Sequence, residues 1–169
     1  MAPQAPPTGV SNTEFVRWAF ERLNARDLDA LRQVWDADTI ERFPTGTVRG
    51  TDEIASYFAE AFAAMPDWQM EVVAIAEQGD DVFVQWHLTG SHTGGPFQGI
   101  APTGKPVSLD GMDHFVIGDG KVVSNFVVFD QMQFARAVGM MPPDGSRADR
   151  ALKSAFNARS RLMSRLRRI

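Results

Sequence analysis

The segment VSLDGMDHFVIGDGKVVSNFVVF, residues 107–129, decides the fold. Two runs rich in β-branched and aromatic residues, read as strands of period two, flank Gly118-Asp119-Gly120-Lys121, and the joint between them is a hairpin signal. We read the joint as a type I turn closed by a glycine bulge, pairing Ile117 with Lys121 and setting Asp113 opposite Asn125. One face of the hairpin then carries Asp113, Phe115, Ile117, Val123, Asn125 and Val127. The other carries Met112, His114, Val116, Val122, Ser124, Phe126 and Val128, a set suited to a subunit interface.

Two more runs of period two precede this hairpin, Gln69 to Glu77 and Val82 to Ser91, joined at Gly79-Asp80-Asp81. Between Ser91 and Pro106 lies a long, turn-rich loop of the kind that forms lids and rims. The N-terminal third has the other period. Ser11 or Asn12 caps a helix with Glu14 in its first turn, and Phe15, Trp18, Ala19 and Leu23 recur at helical spacing. After a joint at Asn24-Ala25-Arg26-Asp27, a second helix runs to Trp35 through Leu28, Leu31 and Val34. Asp52 caps a third, with Ile54, Tyr57, Phe58, Ala61, Phe62 and Met65 on its stripe, and Pro66-Asp67 ends it. Beyond the last strand, Asp130 caps a short helix from Gln131 to Val138. Three helices followed by a meander make an α+β order, with the helices on one face of a curved antiparallel sheet.

A chain of 169 residues without cysteine is one domain that needs no disulfide or sulfur-ligated metal, and thiol chemistry is excluded. The expected location is the cytoplasm. Residues 1–11 read as a disordered leader, residues 12–141 as the folded domain, and residues 142–169 as a linker and a basic amphipathic tail helix. No uncharged apolar run approaches the roughly 18 residues of a membrane span, so no membrane is expected as a partner. The formal net charge of -4 is unevenly spread. From Arg147 onward eight basic residues face only Asp149, whereas the remainder carries nine basic against twenty acidic residues. An acidic body is a poor nucleic-acid binder, and the basic tail is suited to its own subunit, a symmetry mate or an acidic carrier protein.

Several features in order carry a family likeness: Phe43-Pro44-Thr45-Gly46, Gly50 before the third helix, Met65-Pro66-Asp67, and Trp86 followed by Gly90-Ser91-His92 and Gly94. They continue through Gly99-Ile100-Ala101-Pro102-Thr103-Gly104-Lys105, Asp113 with Phe115, Asp119-Gly120-Lys121-Val122, Asp130 and Val138-Gly139. The chain resembles the SnoaL-like polyketide cyclases, within the nuclear-transport-factor-like and ketosteroid-isomerase-like superfamily. The resemblance implies a conical α+β barrel around one deep pocket, a homodimer, and a cofactor-free cyclase or isomerase acting on an apolar, polyketide-like small molecule. Binding proteins and epoxide hydrolases share this fold, so a non-catalytic binder and an epoxide hydrolase are the alternatives.

In those cyclases an Asp on the last strand works as general acid/base with a His on the preceding strand. The matching positions here hold Val127 and Asp113, and a shift of one residue would bring His114 to the histidine position instead. Asp113 is the candidate acid/base, since a carboxylate among apolar walls has a raised pKa. Its other reading is a structural hydrogen-bonding aspartate. His92 is a candidate donor to a carbonyl or a brace for its loop, and Asn125 is an oxyanion-type donor or a satisfied strand amide. Trp18, Phe43, Tyr57, Phe62, Trp86, Phe115 and Val127 are the candidate ligand-contact residues. Three irregularly spaced histidines make no metal set, and Gly94-Gly95 joins antiparallel strands instead of opening a phosphate loop. No metal and no cofactor are expected.

Overall fold

In the computed structural model, which describes residues 4–166, the two periods become helices packed over one face of a curved, unclosed sheet. Met1 to Pro3 of the leader and Arg167, Arg168 and Ile169 of the basic tail lie outside the described residues. Helix α1 (Asn12–Ala25) starts in a capping box: Ser11 receives the Glu14 amide, and the Glu14 carboxylate receives the Ser11 amide. Arg26 closes the helix in the left-handed conformation, and α2 (Leu28–Leu31) follows under an Asp27 cap. This second helix is one turn long, not the segment to Trp35 expected from the stripe. Leu31, Val34 and Trp35 are nevertheless buried, since burial needs the side chains on one side and not a continuous helix.

Two strands escaped the periodicity reading, β1 (Ile40–Phe43) and β2 (Gly46–Arg49), which form a hairpin across Pro44-Thr45. Four residues each is too short for alternation to register. Helix α3 (Gly50–Ala64) then begins two residues before the expected cap. Arg49 holds the cap position, its amide taken by the Glu53 carboxylate, while Asp52 sits inside the first turn.

Strands β3 (Gln69–Gln78), β4 (Asp81–Ser91), β5 (Pro106–Gly118) and β6 (Lys121–Phe129) form the meander, and the sheet order is β2-β1-β6-β5-β4-β3. Every pairing is antiparallel except β1 with β6, which is parallel and aligns Glu41 with Asn125. The β5–β6 turn differs from the expected one. Gly118 pairs with Lys121, leaving a two-residue loop in which Asp119 and Gly120 both have positive φ, the demand of a type I′ turn. The extra residue is in the strand instead: Ile117 pairs with Val122 and Val116 with Ser124, so Val123 bulges. Asp113 therefore faces Val127, and Phe115 faces Asn125. The bulge also exchanges two valines, with Val122 only 3% exposed inside and Val123 50% exposed outside.

The inward face of the meander, including Val84, Trp86, Leu109, Phe115 and Val127, closes against Phe20, Leu23, Phe58 and Phe62 of α1 and α3. Helix α4 (Gln131–Ala137) starts under Asp130, whose carboxylate receives the Met132 and Gln133 amides. Helix α5 (Arg147–Leu166) is exposed from Arg150 through Ser164, with Leu152, Phe156, Leu162 and Met163 on its apolar side.

Candidate active site

The centre of the site is an Asp on β5 and the side chains that reach it. Trp86 lies opposite Gly111 in the β4–β5 ladder, and a Cβ at Gly111 would fall 2.1 Å from the indole. The missing side chain lets the ring lie across β5, where its Nε1–H donates to Asp113 Oδ1 at 2.9 Å. From β6, Asn125 Nδ2–H donates to Asp113 Oδ2 at 3.3 Å. Burial pushes the Asp113 carboxyl up to about 7, with these two donors pulling in the opposite direction.

A second carboxyl stands behind it. Glu41 on β1 is 2% exposed, and burial together with the charge of Asp113 pushes it up to about 8, while hydrogen bonding to Asn125 and Trp35 works against the rise. Sequence reading missed Glu41 because it missed the strand that carries it. The available signal was the turn Pro44-Thr45-Gly46, since Ile40-Glu41-Arg42-Phe43 runs apolar, polar, polar, apolar without alternation.

Two apolar cavities meet at this cluster. The front one, lined by Asp113, Asn125 and Val127 with Phe43, Tyr57, Trp86, Phe97 and Phe134 among others, is a narrow cavity of about 60 Å³. Phe43 and Tyr57 stack in it at 3.9 Å between ring centroids, and Phe97 brings in the long loop. The rear cavity holds Glu41 with Phe20, Leu31, Trp35 and Phe115, and shares Asp113 and Asn125 with the front. The titratable side chains of both linings are Glu41, Asp113 and Tyr57, whose hydroxyl burial also pushes up; neither lining includes a Lys, Arg or His. An Asp–Arg–Asp epoxide-opening arrangement therefore has no guanidinium in either lining.

Of the candidate residues, the fold brings together Asp113, Asn125, Val127, Trp86, Phe43 and Tyr57 at the front and Phe115 at the rear. It does not bring Trp18, Phe62, His92 or His114 there. Trp18 packs on Phe15, and Phe62 between Phe58 and Trp68, both behind the lining. His92 is 1% exposed and braces its loop: its amide donates to Lys105 O and its carbonyl accepts from Thr103 and Gly104. His114 alternates to the outer face, where its Nε2 meets Asp81 at 2.6 Å and its ring stacks on Phe83. His87 shares that face, between Asp110 at 2.8 Å and Ser108 at 3.3 Å. Among the described residues no group of three or more His, Asp or Glu is placed to hold a metal ion.

A family model described as SnoaL-like polyketide cyclase matches residues 13–138. Among solved structures the chain is similar to AclR, named as a candidate hydroxylase, from Streptomyces galilaeus, at 26% identity over 88% of this chain and 89% of that one, with a TM-score of 0.65. It is also similar to a candidate SnoaL-like polyketide cyclase from a Jannaschia species, at 24% identity over 80% and 100% of the two chains and a TM-score of 0.69. A third similar structure is IdmH, a candidate polyketide cyclase from Streptomyces antibioticus, at 24% identity over 73% and 95% and a TM-score of 0.64. No curated protein sequence matches the chain.

Proposed function

Because this chain belongs to the SnoaL-like polyketide cyclase family, we propose that it is a general acid/base enzyme that cyclises or isomerises a neutral, largely apolar, ring-containing substrate, with Asp113 as the proton-transfer group. The observation that carries the reading is Asp113 itself: a carboxyl at the wall of an apolar cavity, raised to about 7, with no cation beside it. A base with a pKa near the working pH combines a useful ionised fraction with real proton affinity. The carboxylate takes a proton from a carbon or hydroxyl activated by a neighbouring carbonyl. Charge moves to the carbonyl oxygen, where the Asn125 amide is the nearby neutral donor. Asp113 then returns the proton to the carbon or oxygen that ends the rearrangement. A substrate anion would enter an apolar lining that already holds the Asp113 carboxyl, with Glu41 behind it in the rear cavity, which favours neutral substrates.

The stacked Phe43–Tyr57 pair and Phe97 provide flat walls for rings. On the outer sheet face Phe83, Met112, Phe126 and Val128 are each about half exposed, which supports pairing of two copies through that face. A second reading, a binding protein that does no chemistry, is favoured by one observation: Val127 opposite Asp113 leaves the wall with one carboxyl where the family pairs two groups.

The probe that separates them is 2-tetralone, a flat neutral ketone with acidic α-hydrogens, followed by NMR for α-hydrogen exchange in deuterium oxide. The acid/base reading expects exchange by the wild type, a loss of at least about 10²-fold in Asp113→Asn, and an affinity within a few-fold. Binding without exchange by the wild type supports the binder, and equal loss of exchange and affinity in Asp113→Asn overturns the proton-transfer role.

A further inference from the structure

The Glu41–Asn125–Asp113 arrangement contains two buried acceptor atoms without a partner among the described residues, Glu41 Oε2 and Asn125 Oδ1. They belong to residues directly aligned on adjacent parallel strands, so their side chains share the inward face and the rear cavity. Two buried acceptors on one inward face cannot both stay empty in an apolar interior without penalty. One proton removes the conflict. A neutral Glu41 donates its O–H to Asn125 Oδ1, which satisfies that oxygen and leaves Glu41 with the acceptor need of an acid instead of an anion.

We propose that Glu41 is the positioning acid of this site: kept protonated, it fixes the Asn125 amide by hydrogen-bonding its oxygen, so that the Asn125 N–H groups point to Asp113 and to the substrate oxygen. Glu41 faces the rear cavity and not the front one, so it acts through Asn125 and not on substrate. The role deepens the acid/base reading of Asp113 and depends on it for its consequence in turnover. The amide orientation itself is a property of the free protein.

Hydrogen bonding from Asn125 and Trp35 favours a Glu41 anion, and the rest of its surroundings outweighs it in favour of the neutral acid. Strand β5 presents Asp113, α3 presents Tyr57, and the rear lining from α1, α2 and β6 is Ala19, Phe20, Leu23, Leu31, Val122 and Asn125, without a charge. No cation is there to hold an anion, and the nearest charge, on Asp113, opposes ionisation. As Glu41 loses its proton above about pH 8, Asn125 Oδ1 loses its donor and a second negative charge appears beside Asp113. The amide then turns or loosens, and turnover falls on the alkaline side.

The experiment is an NMR titration of the free full-length protein from about pH 5.5 to 9.5, following the Asn125 side-chain amide and the Glu41 carboxyl carbon. The expected result is that both move together with a midpoint near 8, above the separate Asp113 step. In Glu41→Gln, whose amide still donates to Asn125, the upper step disappears and the Asn125 signals stay in the wild-type position at neutral pH. In Glu41→Leu, which has no donor, they shift. In Asp113→Asn the Glu41 midpoint falls. With 2-tetralone, Glu41→Gln keeps neutral-pH exchange and loses the alkaline decline, whereas Glu41→Leu loses about tenfold at every pH. A Glu41 carbon already ionised at pH 6, an Asn125 amide that ignores the Glu41 step, or an unchanged upper step in Glu41→Gln overturns the proposal. Because the first two readings come from the unmodified protein, they decide it even if a variant fails to fold. Absence of tetralone exchange with the titrations intact rejects the Asp113 reading instead.

Discussion

Among the described residues two aspartates are withdrawn from solvent, Asp113 in the sheet interior at 7% exposure and Asp149 at the base of α5 at 1%. They sit on opposite sides of the ordinary carboxyl range. Asp149 Oδ2 meets Lys153 Nζ at 2.7 Å and the Gly145 amide at 3.0 Å, and Arg136 stands 3.9 Å from Oδ1. The hydrogen bond from Lys153 is the largest influence and holds Asp149 below its usual value. Asp113 has an indole, a carboxamide and a second acid around it, and rises. Removal from water is common to both; the charge of the neighbours decides the protonation state. A carboxyl that ties a helix to a linker is given cations, and one that must gain and lose a proton is denied them.

The largest expected effect follows from that contrast. Asp113 is lifted from 3.8 to about 7 in the folded state, so its contribution to stability is complete below about pH 3.8 and is lost as pH rises toward 7. Asp113→Asn cannot ionise and escapes this loss. Equilibrium denaturation at pH 8 is expected to find the variant more stable than wild type by up to roughly 4 kcal/mol, with the gap closing by pH 4. A variant less stable than wild type at pH 8 would mean that Asp113 is a structural aspartate like Asp149, and the contrast would collapse.

A smaller effect tests the support of the interior acid. Gly111→Ala puts a methyl group where the Trp86 ring lies, 2.1 Å from its nearest carbon. The ring must move, at a cost of about 1–3 kcal/mol, and it withdraws one of the two donors to Asp113. Carboxyl titration of Gly111→Ala is expected to show Asp113 higher than in wild type, since the lost hydrogen bond favoured the anion. An unmoved Asp113 would assign the low-lying influence to Asn125 alone.

The contrast also explains what was legible in the sequence. The period-two reading placed Asp113, Phe115, Asn125 and Val127 on one face, and they stay there because the observed register differs from the expected one by two residues, whereas Val122 and Val123 change places at the bulge. The turn chemistry was less legible: Gly118-Asp119-Gly120-Lys121 accommodates either a glycine bulge or a two-residue loop, and only packing of Val122 against the core selects the second. The helical stripe identified the faces of α1 and α3, and Trp18 and Phe62 with them, without saying which buried aromatics line a cavity and which fill space behind it. Glu41 was invisible for another reason. Its strand is four residues long and pairs with β6 across more than eighty positions of sequence, and no local pattern encodes a partner that distant.

The smallest effect is expected at Asp149, with the opposite sign. A lowered pKa gives stability that is present above the unfolded value of 3.8 and lost as pH falls through the folded one. Asp149→Asn is therefore expected to weaken the start of α5 at pH 7, where Asp113→Asn strengthens the body. The Asn can still accept the Gly145 amide and loses only the charge facing Lys153 and Arg136, whose ion pairs are partly open to solvent. Hydrogen exchange of the α5 amides reads the change directly: faster exchange from Arg150 onward in the variant, with the gap narrowing in about 0.5 M salt as screening removes what the charge provided. Exchange unchanged at low salt would show that the cap made by Ser146, which receives the Asp149 amide at 3.1 Å, holds this end by itself. Cations beside a buried Asp would then fix its protonation state without adding to stability, and the difference between the two aspartates would be one of titration alone.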